Sequence, residues 1–166
     1  MGPRQTIRLF YEAHRAELYA YAMLLAENRE LAEDAIHSVF YNLLRLRRLP
    51  RELRPYVFRC IRNAVVDELR RKGRAQQCEP LRLKPDTALD PALRLDVEQA
   101  LAALPPDERE CIVLKVFCGM TFREIATTRD APQGTVASWY RRGVARLRTI
   151  LTESSNEEPR QTTVRT

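Results

Sequence analysis

Apolar residues recur every three or four positions along most of this chain, the spacing that predicts amphipathic α-helices. One such pattern covers residues 7–25 and a second covers residues 31–44. Pro50 is expected to end the second helix, because proline removes a backbone donor and clashes with the preceding turn. A third pattern runs over residues 55–73 and ends on a glycine. Residues 5–73 are therefore predicted to form a first lobe of three helices.

The remainder of the chain predicts a second helical lobe behind a linker. Three of the ten prolines fall within residues 74–91, which favours an extended, flexible tether. Further apolar patterns follow, and Thr121 can cap a short helix that precedes a tight turn and a longer last helix. Residues 92–152 thus predict a helix-turn-helix lobe, and residues 153–166, which have little to bury, a disordered tail. The expected fold class is all-α, with two small helical domains joined by a flexible linker.

Positive charge is concentrated in three segments, although the whole chain has a net charge of only +6. Residues 45–54 and 59–74 each carry a net charge of +4, and residues 141–148 add +4 without any acid. Segregated cations of this kind are typical of surfaces that bind nucleic-acid phosphates.

The last predicted helix has an apolar side and a side suited to the major groove of DNA. An apolar arc from Val136 to Leu151 must face the core. The opposite side carries small and hydroxylic residues with arginine, namely Ser138, Arg142, Ala145 and Thr149, flanked by Arg141 and Arg146. Arginine can donate to two acceptors of guanine, and small neighbours let a helix approach the bases.

The sequence shows no carrier for enzyme chemistry or for a metal ion. Its four cysteines form no C-x-x-C pair and its two histidines no H-E-x-x-H motif, the spacings that zinc sites use. Nucleophile-elbow and phosphate-loop motifs are missing as well. We expect no enzyme activity, no catalytic residue, no cofactor and no metal site. The absence of a long apolar run or a signal-peptide core predicts a cytoplasmic protein without a membrane span.

An ordered set of motifs resembles the extracytoplasmic-function (ECF) sigma factors, the smallest members of the sigma-70 family of bacterial RNA polymerase. In the first lobe the resemblance rests on Ala32-Glu33-Asp34, Val39-Phe40, the stretch from Arg54 to Arg59, Arg62-Asn63-Ala64 and the stretch from Asp67 to Arg71. In the second lobe it rests on the stretch from Ala100 to Pro105, Glu108-Arg109-Glu110, the stretch from Phe122 to Ala126, Gly134-Thr135-Val136 and Arg146-Leu147-Arg148. The match covers residues 5–151 in the family's order.

The resemblance implies a transcription initiation factor that binds core RNA polymerase, recognises −10 and −35 promoter elements and promotes DNA opening. The positions implied to bind core polymerase are Asp34, His37 and Ser38. Those implied to bind the −10 DNA are Arg47, Arg48, Arg51, Asn63, Asp67, Arg70 and Arg71, with an unstacked base held by the loop 47–54. Those implied to bind the −35 DNA are Thr135, Ser138, Arg141, Arg142 and Arg146. The implied partners are core polymerase, promoter duplex, the unwound −10 strand and an anti-sigma factor.

Three departures from the family's pattern accompany the resemblance. His37-Ser38 replaces a Gln-Glu pair, Ala137 and Trp139 stand where basic residues are common, and Arg129-Asp130 replaces a Leu-Gly turn. We expect Trp139 to pack against its own lobe rather than to contact DNA.

Two rival functions stay open at this point. One is a helix-turn-helix transcriptional regulator that does not act through core polymerase, whose first lobe serves dimerisation or sensing. The other is a helical RNA-binding or adaptor protein. The arginine-rich third helix with Asn63 and Asp67 argues against a dimerisation module, which has no need of it.

Overall fold

Local capping chemistry sets the helix boundaries of the first lobe. The computed structural model describes residues 2–73 and 91–156, and its first lobe consists of α1 (Pro3–Ala26), α2 (Arg29–Leu44) and α3 (Leu53–Lys72). The Asn28 side chain caps α2 by accepting from the backbone N–H of Leu31 at 3.0 Å. Gly73 ends α3 at φ 60°, a left-handed conformation that glycine adopts without steric cost. The three predicted helices are confirmed, but Pro50 does not end the second one: α2 ends at Leu44, where Arg45 and Leu46 make tighter bonds to the third residue back.

The second lobe contains the predicted helix-turn-helix. It consists of α4 (Pro91–Ala102), α5 (Pro106–Ile112) with a π-helical turn (Val113–Phe117) continuing it, α6 (Phe122–Arg129) and α7 (Gln133–Asn156). Thr121 and Glu124 form the predicted capping box: the Glu124 N–H donates to the Thr121 hydroxyl at 3.2 Å, and the Thr121 N–H donates to the Glu124 carboxylate at 2.8 Å. The part of the chain that the structure describes holds helices and no strand, so the all-α class is confirmed.

Two predicted boundaries need correction. Pro91, assigned to the linker, is already the first residue of α4, because proline suits the first helical position, where no N–H is needed. The tail was expected from residue 153, yet α7 continues to Asn156, since neither glycine nor proline interrupts the chain between Gly143 and Asn156. Residues 74–90 of the predicted linker and 157–166 of the predicted tail lie outside the described residues.

The two lobes share one hydrophobic core. A flexible linker between them had suggested two separate lobes. A single buried cluster includes Leu18, Tyr21 and Phe58 of the first lobe together with Leu114 and Met120 of the second. Helix α3 packs along α6, and α1 meets the π-helical turn. A smaller cluster of Leu101, Leu104 and Ile112 joins α4, α5 and α7.

In the second lobe, two residues that lie on the apolar patterns, and were therefore expected to face the core, are on the surface instead. Val116 is 58% exposed because the π-helical turn bonds each N–H one residue further back, as from Cys118 to the Val113 carbonyl at 3.0 Å, and this shifts the 3.6-residue phase. Leu93 is 46% exposed because α4 packs along α7 through its other side. Across residues 2–73 and 91–156, every helix is too short or too polar to cross a bilayer.

Helices α5 and α7 approach each other closely at Gly143. A Cβ placed there would lie 2.8 Å from Ile112 Cδ1, 3.2 Å from Glu108 Cβ and 3.3 Å from the Glu108 carbonyl oxygen. Gly134, in the first turn of the same helix, has no such neighbour within 4 Å. The absence of a side chain at position 143 is therefore what lets α5 lie against α7.

We predict that Gly143→Ala lowers the free energy of unfolding by about 1–2 kcal/mol. The cost of overpacking, about 1–3 kcal/mol, exceeds the gain of about 1 kcal/mol that alanine brings to a helix interior. Urea denaturation is the measurement, with Gly134→Ala as the control that keeps or raises stability. Equal stability of the two variants would contradict the close-packing argument.

Candidate nucleic-acid interface

The loop between α2 and α3 presents exposed arginines on an anchored backbone. Leu49 and Leu53 pack against the core on either side of Pro50 and fix the loop. The arginines predicted here to bind −10 DNA all lie on the surface: Arg47, Arg48 and Arg51. The loop therefore exposes three guanidinium groups, while Leu49 and Leu53 hold its backbone against the core.

Helix α3 exposes a second polar face. Its inner side is fully buried through Val57, Phe58, Ile61 and Val65. The predicted −10 residues on this helix occupy the opposite, exposed side: Asn63, Asp67, Arg70 and Arg71. Their spacing of three and four residues brings them together on one face. Glu68 neutralises part of the charge at the end of α3, because it contacts Arg71 and lies 3.4 Å from Lys72.

Two cavities open beside this loop, and Tyr56 lines both of them. The larger, of about 680 Å³, lies between the lobes and is lined by Pro50, Arg51, Glu52, Tyr56, Arg59, Arg123 and Thr127. The smaller, of about 260 Å³, lies between α2 and α3, and its polar lining groups are Ser38, Asn42, Tyr56, Cys60 and Asn63. The combination of an aromatic face, an amide and guanidinium groups is suited to a base that has left its stack.

Helix α7 presents the predicted −35 residues on more than one side. Val136 is fully buried, as its apolar arc requires. Arg141, Arg142 and Arg146 are exposed, whereas Thr135 and Ser138 are half-buried, so Ser138 does not stand on the open face that the sequence assigned to it. Gly143 is also buried against α5, which widens the covered part of the helix beyond the apolar arc.

The carboxylate of Glu108 lies beneath two of these arginines. Arg142 Nε donates to Glu108 Oε1 at 3.3 Å, and Arg146 Nε lies 3.0 Å from Oε2. The Glu108 side chain is only 6% exposed, while those of Arg142 and Arg146 are 57% and 59% exposed. The sequence predicted that Arg142 and Arg146 simply face solvent. One edge of each guanidinium instead contacts Glu108, which the sequence indicated only as part of a motif.

Arg129 supports α7 from inside the lobe, a role that the sequence did not indicate. Its side chain is 5% exposed, and its two terminal nitrogens lie 2.6 Å from Asp107 Oδ1 and 2.9 Å from Glu110 Oε2. Its guanidinium stacks 4.8 Å from the centroid of the Trp139 ring. Trp139 thus packs against its own lobe, as predicted. The adjacent Asp130 takes a left-handed conformation at φ 51° and makes the turn.

The three residues predicted to bind core polymerase share an exposed face of α2. Asp34, His37 and Ser38 are spaced by three and four residues and all lie on the surface. Tyr41, one turn further, is 63% exposed, with the Arg45 guanidinium 5.7 Å from its ring centroid. An exposed aromatic residue in line with these polar groups is the signal that could have extended the predicted surface.

The buried thiols are unsuited to nucleophilic or metal chemistry. Burial raises the pKa of Cys111 to about 11 and that of Cys118 to about 12, so both thiols stay protonated at neutral pH. In the described parts of the chain, His, Cys, Asp and Glu side chains do not gather in threes as metal ligands would.

Comparison with known proteins identifies both lobes. The family model for Sigma-70 region 2 matches residues 10–75, and the model for Sigma-70, region 4 matches residues 94–147. RNA polymerase sigma factor CarQ of Myxococcus xanthus is 29% identical over 96% of this chain and 97% of its own length. ECF RNA polymerase sigma factor SigL of Mycobacterium tuberculosis is 31% identical over 89% of this chain and 89% of SigL. This chain belongs to the ECF sigma factors.

Solved structures of sigma factors share the fold. RpoE of Bartonella quintana, solved in complex with the anti-sigma factor NepR, matches with a TM-score of 0.72 over 90% of this chain and 96% of RpoE, at 23% identity. CnrH, solved with the cytosolic domain of CnrY, matches with a TM-score of 0.66 over 92% of this chain and 91% of CnrH, at 21% identity. The resemblance read from the sequence motifs is confirmed.

A buried carboxylate joins the two lobes of this ECF sigma factor. Glu110, whose side chain is 7% exposed, accepts from the Tyr21 hydroxyl at 2.6 Å and from Arg62 Nε at 3.1 Å, both on the first lobe. Arg129 of the second lobe neutralises its other oxygen. Burial, reinforced by the charge of Glu110, holds the pKa of the Tyr21 hydroxyl well above its usual value, so the group stays protonated and donates.

Other arginines of α3 are used for the same contact between lobes. Arg54 donates to Glu17 at 3.0 Å and to the backbone carbonyl of Cys118, and Arg59 lies 3.7 Å from Asp130 of the second lobe. Part of the positive charge assigned to a DNA-binding surface is therefore directed inward. The physical reason for Arg54 is that the half-buried Glu17 needs a cation next to it, whereas Arg59 meets an exposed acid.

We predict that Tyr21→Phe lowers the free energy of unfolding by about 2 kcal/mol, because a charged acceptor loses a buried hydrogen bond. The folded chain also binds the hydroxyl proton more tightly than the unfolded chain does. Wild-type stability should consequently fall as the pH rises above about 10, and the variant should lack this part of the dependence. Denaturation at pH 8 and pH 10.5 measures both effects.

Tyr41→Phe is the matched control, because the hydroxyl of this exposed residue makes no buried contact. It should change neither the stability nor its pH dependence. An equal effect of the two substitutions would show that the hydrogen bond to Glu110 is not what stabilises the fold.

Proposed function

We propose that this ECF sigma factor joins core RNA polymerase, recognises a promoter with −10 and −35 elements, and promotes opening of the duplex. Residues 5–73 would serve polymerase and the −10 element, and residues 92–152 the −35 element. The observation that carries the proposal is that both lobes, each related to a sigma-70 region, expose arginine-rich surfaces. Cations on two separate lobes suit contacts with phosphates at two places along one DNA.

Core polymerase would bind the exposed face of α2. Asp34, His37 and Ser38 supply the polar contacts, and Tyr41 supplies an exposed aromatic surface beside them. Exposed aromatic groups next to polar ones are typical of the well-packed centres of protein interfaces. Ser38 also lines the smaller cavity, so this face borders the candidate base pocket.

The −10 element would be held between the α2–α3 loop and α3. Extruding a base costs a few kcal/mol, and stacking on an aromatic ring returns about 1–3 kcal/mol per base. Tyr56 offers that ring, Asn63 an amide for the base edge, and Arg47, Arg48 and Arg51 phosphate contacts. Further along α3, Arg70 and Arg71 extend the phosphate-binding surface beyond Asp67.

The −35 element would be read by α7 in the major groove. Arg141, Arg142 and Arg146 are exposed donors for guanine or phosphate, and Thr135 at the start of the helix can bind a phosphate. Ser138, being half-buried, is left with a shorter reach than the arginines. Arg129 and Trp139 support this helix from the inside without touching DNA.

The proposal assigns the protein no catalysis and no cofactor of its own, since the polymerase performs the chemistry, and it places the protein in the cytoplasm with the chromosome. An anti-sigma factor is a further proposed partner. The support is by analogy: RpoE of Bartonella quintana was solved with the anti-sigma factor NepR. The rival reading, a regulator that works without polymerase, does not account for a first lobe related to Sigma-70 region 2.

The direct experiment adds the purified chain to core RNA polymerase and measures run-off transcription from promoters found by genome-wide mapping of its binding sites. We expect specific transcripts, and failure to co-purify with core enzyme would refute the proposal. Asp34→Lys should weaken polymerase binding at least tenfold by reversing a charge in the contact. Asp96→Lys, the same reversal on exposed α4, should leave binding unchanged.

We predict that Arg142→Ala in the holoenzyme costs about 1–3 kcal/mol of promoter affinity and relaxes the preference at a single −35 position. The reason is the loss of a guanidinium that can donate twice to one guanine. Binding to a panel of single-base promoter variants measures it, with Arg148→Ala, an exposed charge nearer the end of α7, as the control. A uniform loss on every sequence would instead make Arg142 a phosphate contact.

A further inference from the structure

Glu108, which is buried beneath α7, contacts Arg142 and Arg146 in a way that leaves the outer end of each guanidinium available to a ligand. Arg142 Nε donates to one carboxylate oxygen of Glu108, and Arg146 Nε lies 3.0 Å from the other oxygen as an ion pair without hydrogen-bond geometry. A guanidinium held at Nε still has the N–H groups of its two terminal nitrogens, Nη1 and Nη2. That terminal pair is the fork that donates to two acceptors of guanine or of a phosphate.

The backbone holds Glu108 in place beneath these side chains. Gly143 lies between the two arginines in the sequence, and its missing side chain lets the Glu108 Cβ and carbonyl approach α7. Because Glu108 is 6% exposed and more than half of each arginine side chain is exposed, the acid sits inside and the two cations reach outward. The Glu108 carboxylate is therefore buried where α5 packs on α7 and is not a surface group.

We infer that Glu108 is a positioning and specificity-determining residue for recognition of DNA by α7. The inference rests on the proposed −35 function of this helix. By fixing two arginines at Nε, Glu108 orders their forks before DNA arrives, which lowers the entropy lost on binding. By its charge it also competes with phosphate for both guanidinium groups, so that contacts to the backbone of any sequence become weaker relative to contacts with the correct bases.

The test compares holoenzymes that contain wild-type, Glu108→Gln or Glu153→Gln protein. Glu153→Gln makes the same charge change at an exposed position of α7. Each binds a mapped promoter duplex and a scrambled duplex of the same length and composition over a series of salt concentrations. For Glu108→Gln we expect several-fold tighter binding to the scrambled duplex and a salt dependence steeper by up to about 1.8, the value for two released guanidinium groups. The ratio of promoter to scrambled affinity should fall about tenfold.

Glu153→Gln should alter neither the salt slope nor the ratio. If Glu108→Gln behaves like Glu153→Gln, the inference is wrong. If Glu108→Gln fails to fold, as judged by circular dichroism, hydrogen exchange of the arginine Nε–H groups in the wild-type chain decides the question. We expect slower exchange at Arg142, whose Nε–H donates to Glu108, than at the exposed Arg148, and equal rates would overturn the inference.

Failure of this inference and failure of the proposed function give different results. If Arg142→Ala and Arg141→Ala leave −35 discrimination intact, α7 does not read the element and the proposed function of the helix is wrong. If Arg142→Ala removes discrimination but the two glutamine variants are indistinguishable, only the role of Glu108 is wrong.

Discussion

The arrangement of the two lobes depends on how one carboxylate is kept out of water. An ion withdrawn from solvent is costly unless opposite charge and hydrogen-bond donors surround it. Glu110 obtains Tyr21 and Arg62 from the first lobe and Arg129 from its own lobe. Neither lobe alone supplies the full set, so the satisfied state of this acid exists only when the two lobes are in contact.

Because of this requirement, the arginines of the chain fall into two groups: those that neutralise acids within the fold and those that remain on the surface. The composition alone does not distinguish the two groups. Arg54, Arg59, Arg62 and Arg129 neutralise acids or cap a carbonyl within the fold. A second group remains on the surface: the arginines of the α2–α3 loop, Arg70 and Arg71 of α3, and Arg141, Arg142 and Arg146 of α7. Every one of them adds the same charge to the sequence, but only the second group is available to a nucleic acid while the lobes are packed together. A count of charge therefore overstates the extent of the candidate interface.

The all-α fold and its turns could be predicted because their causes are local. The 3.6-residue period, the capping box at Thr121 and Glu124, and the left-handed glycine at position 73 each involve residues close in sequence. The exposed faces of α2 and α3 followed from the same period. The contacts of Glu108 and Glu110 could not be predicted, since their partners lie 19 or more residues away. Val116 was misplaced because nothing in the sequence marks the π-helical turn.

Three of the residues that depart from the family's sequence pattern, Arg129, Asp130 and Trp139, lie close together in space. Arg129 and Trp139 stand where the pattern has leucine and a basic residue, and they stack on each other. Asp130, which replaces the turn glycine, lies next to Arg59 of the first lobe. Substitutions that look independent along the chain are therefore mutually dependent: restoring leucine at position 129 alone would leave Glu110 without its nearest cation and Trp139 without its stacking partner.

The two buried acids, Glu108 and Glu110, lie on the same short helix, α5. Glu108 and Glu110 are two positions apart, so the helix directs them about 200° from each other, one toward α7 and the other toward the first lobe. Both belong to a single rigid segment of seven residues, and Ile112 at its end is wedged against Gly143. A displacement of this segment that breaks the contact of Glu110 with Tyr21 would therefore also move Glu108 relative to Arg142 and Arg146, because both acids belong to one helix.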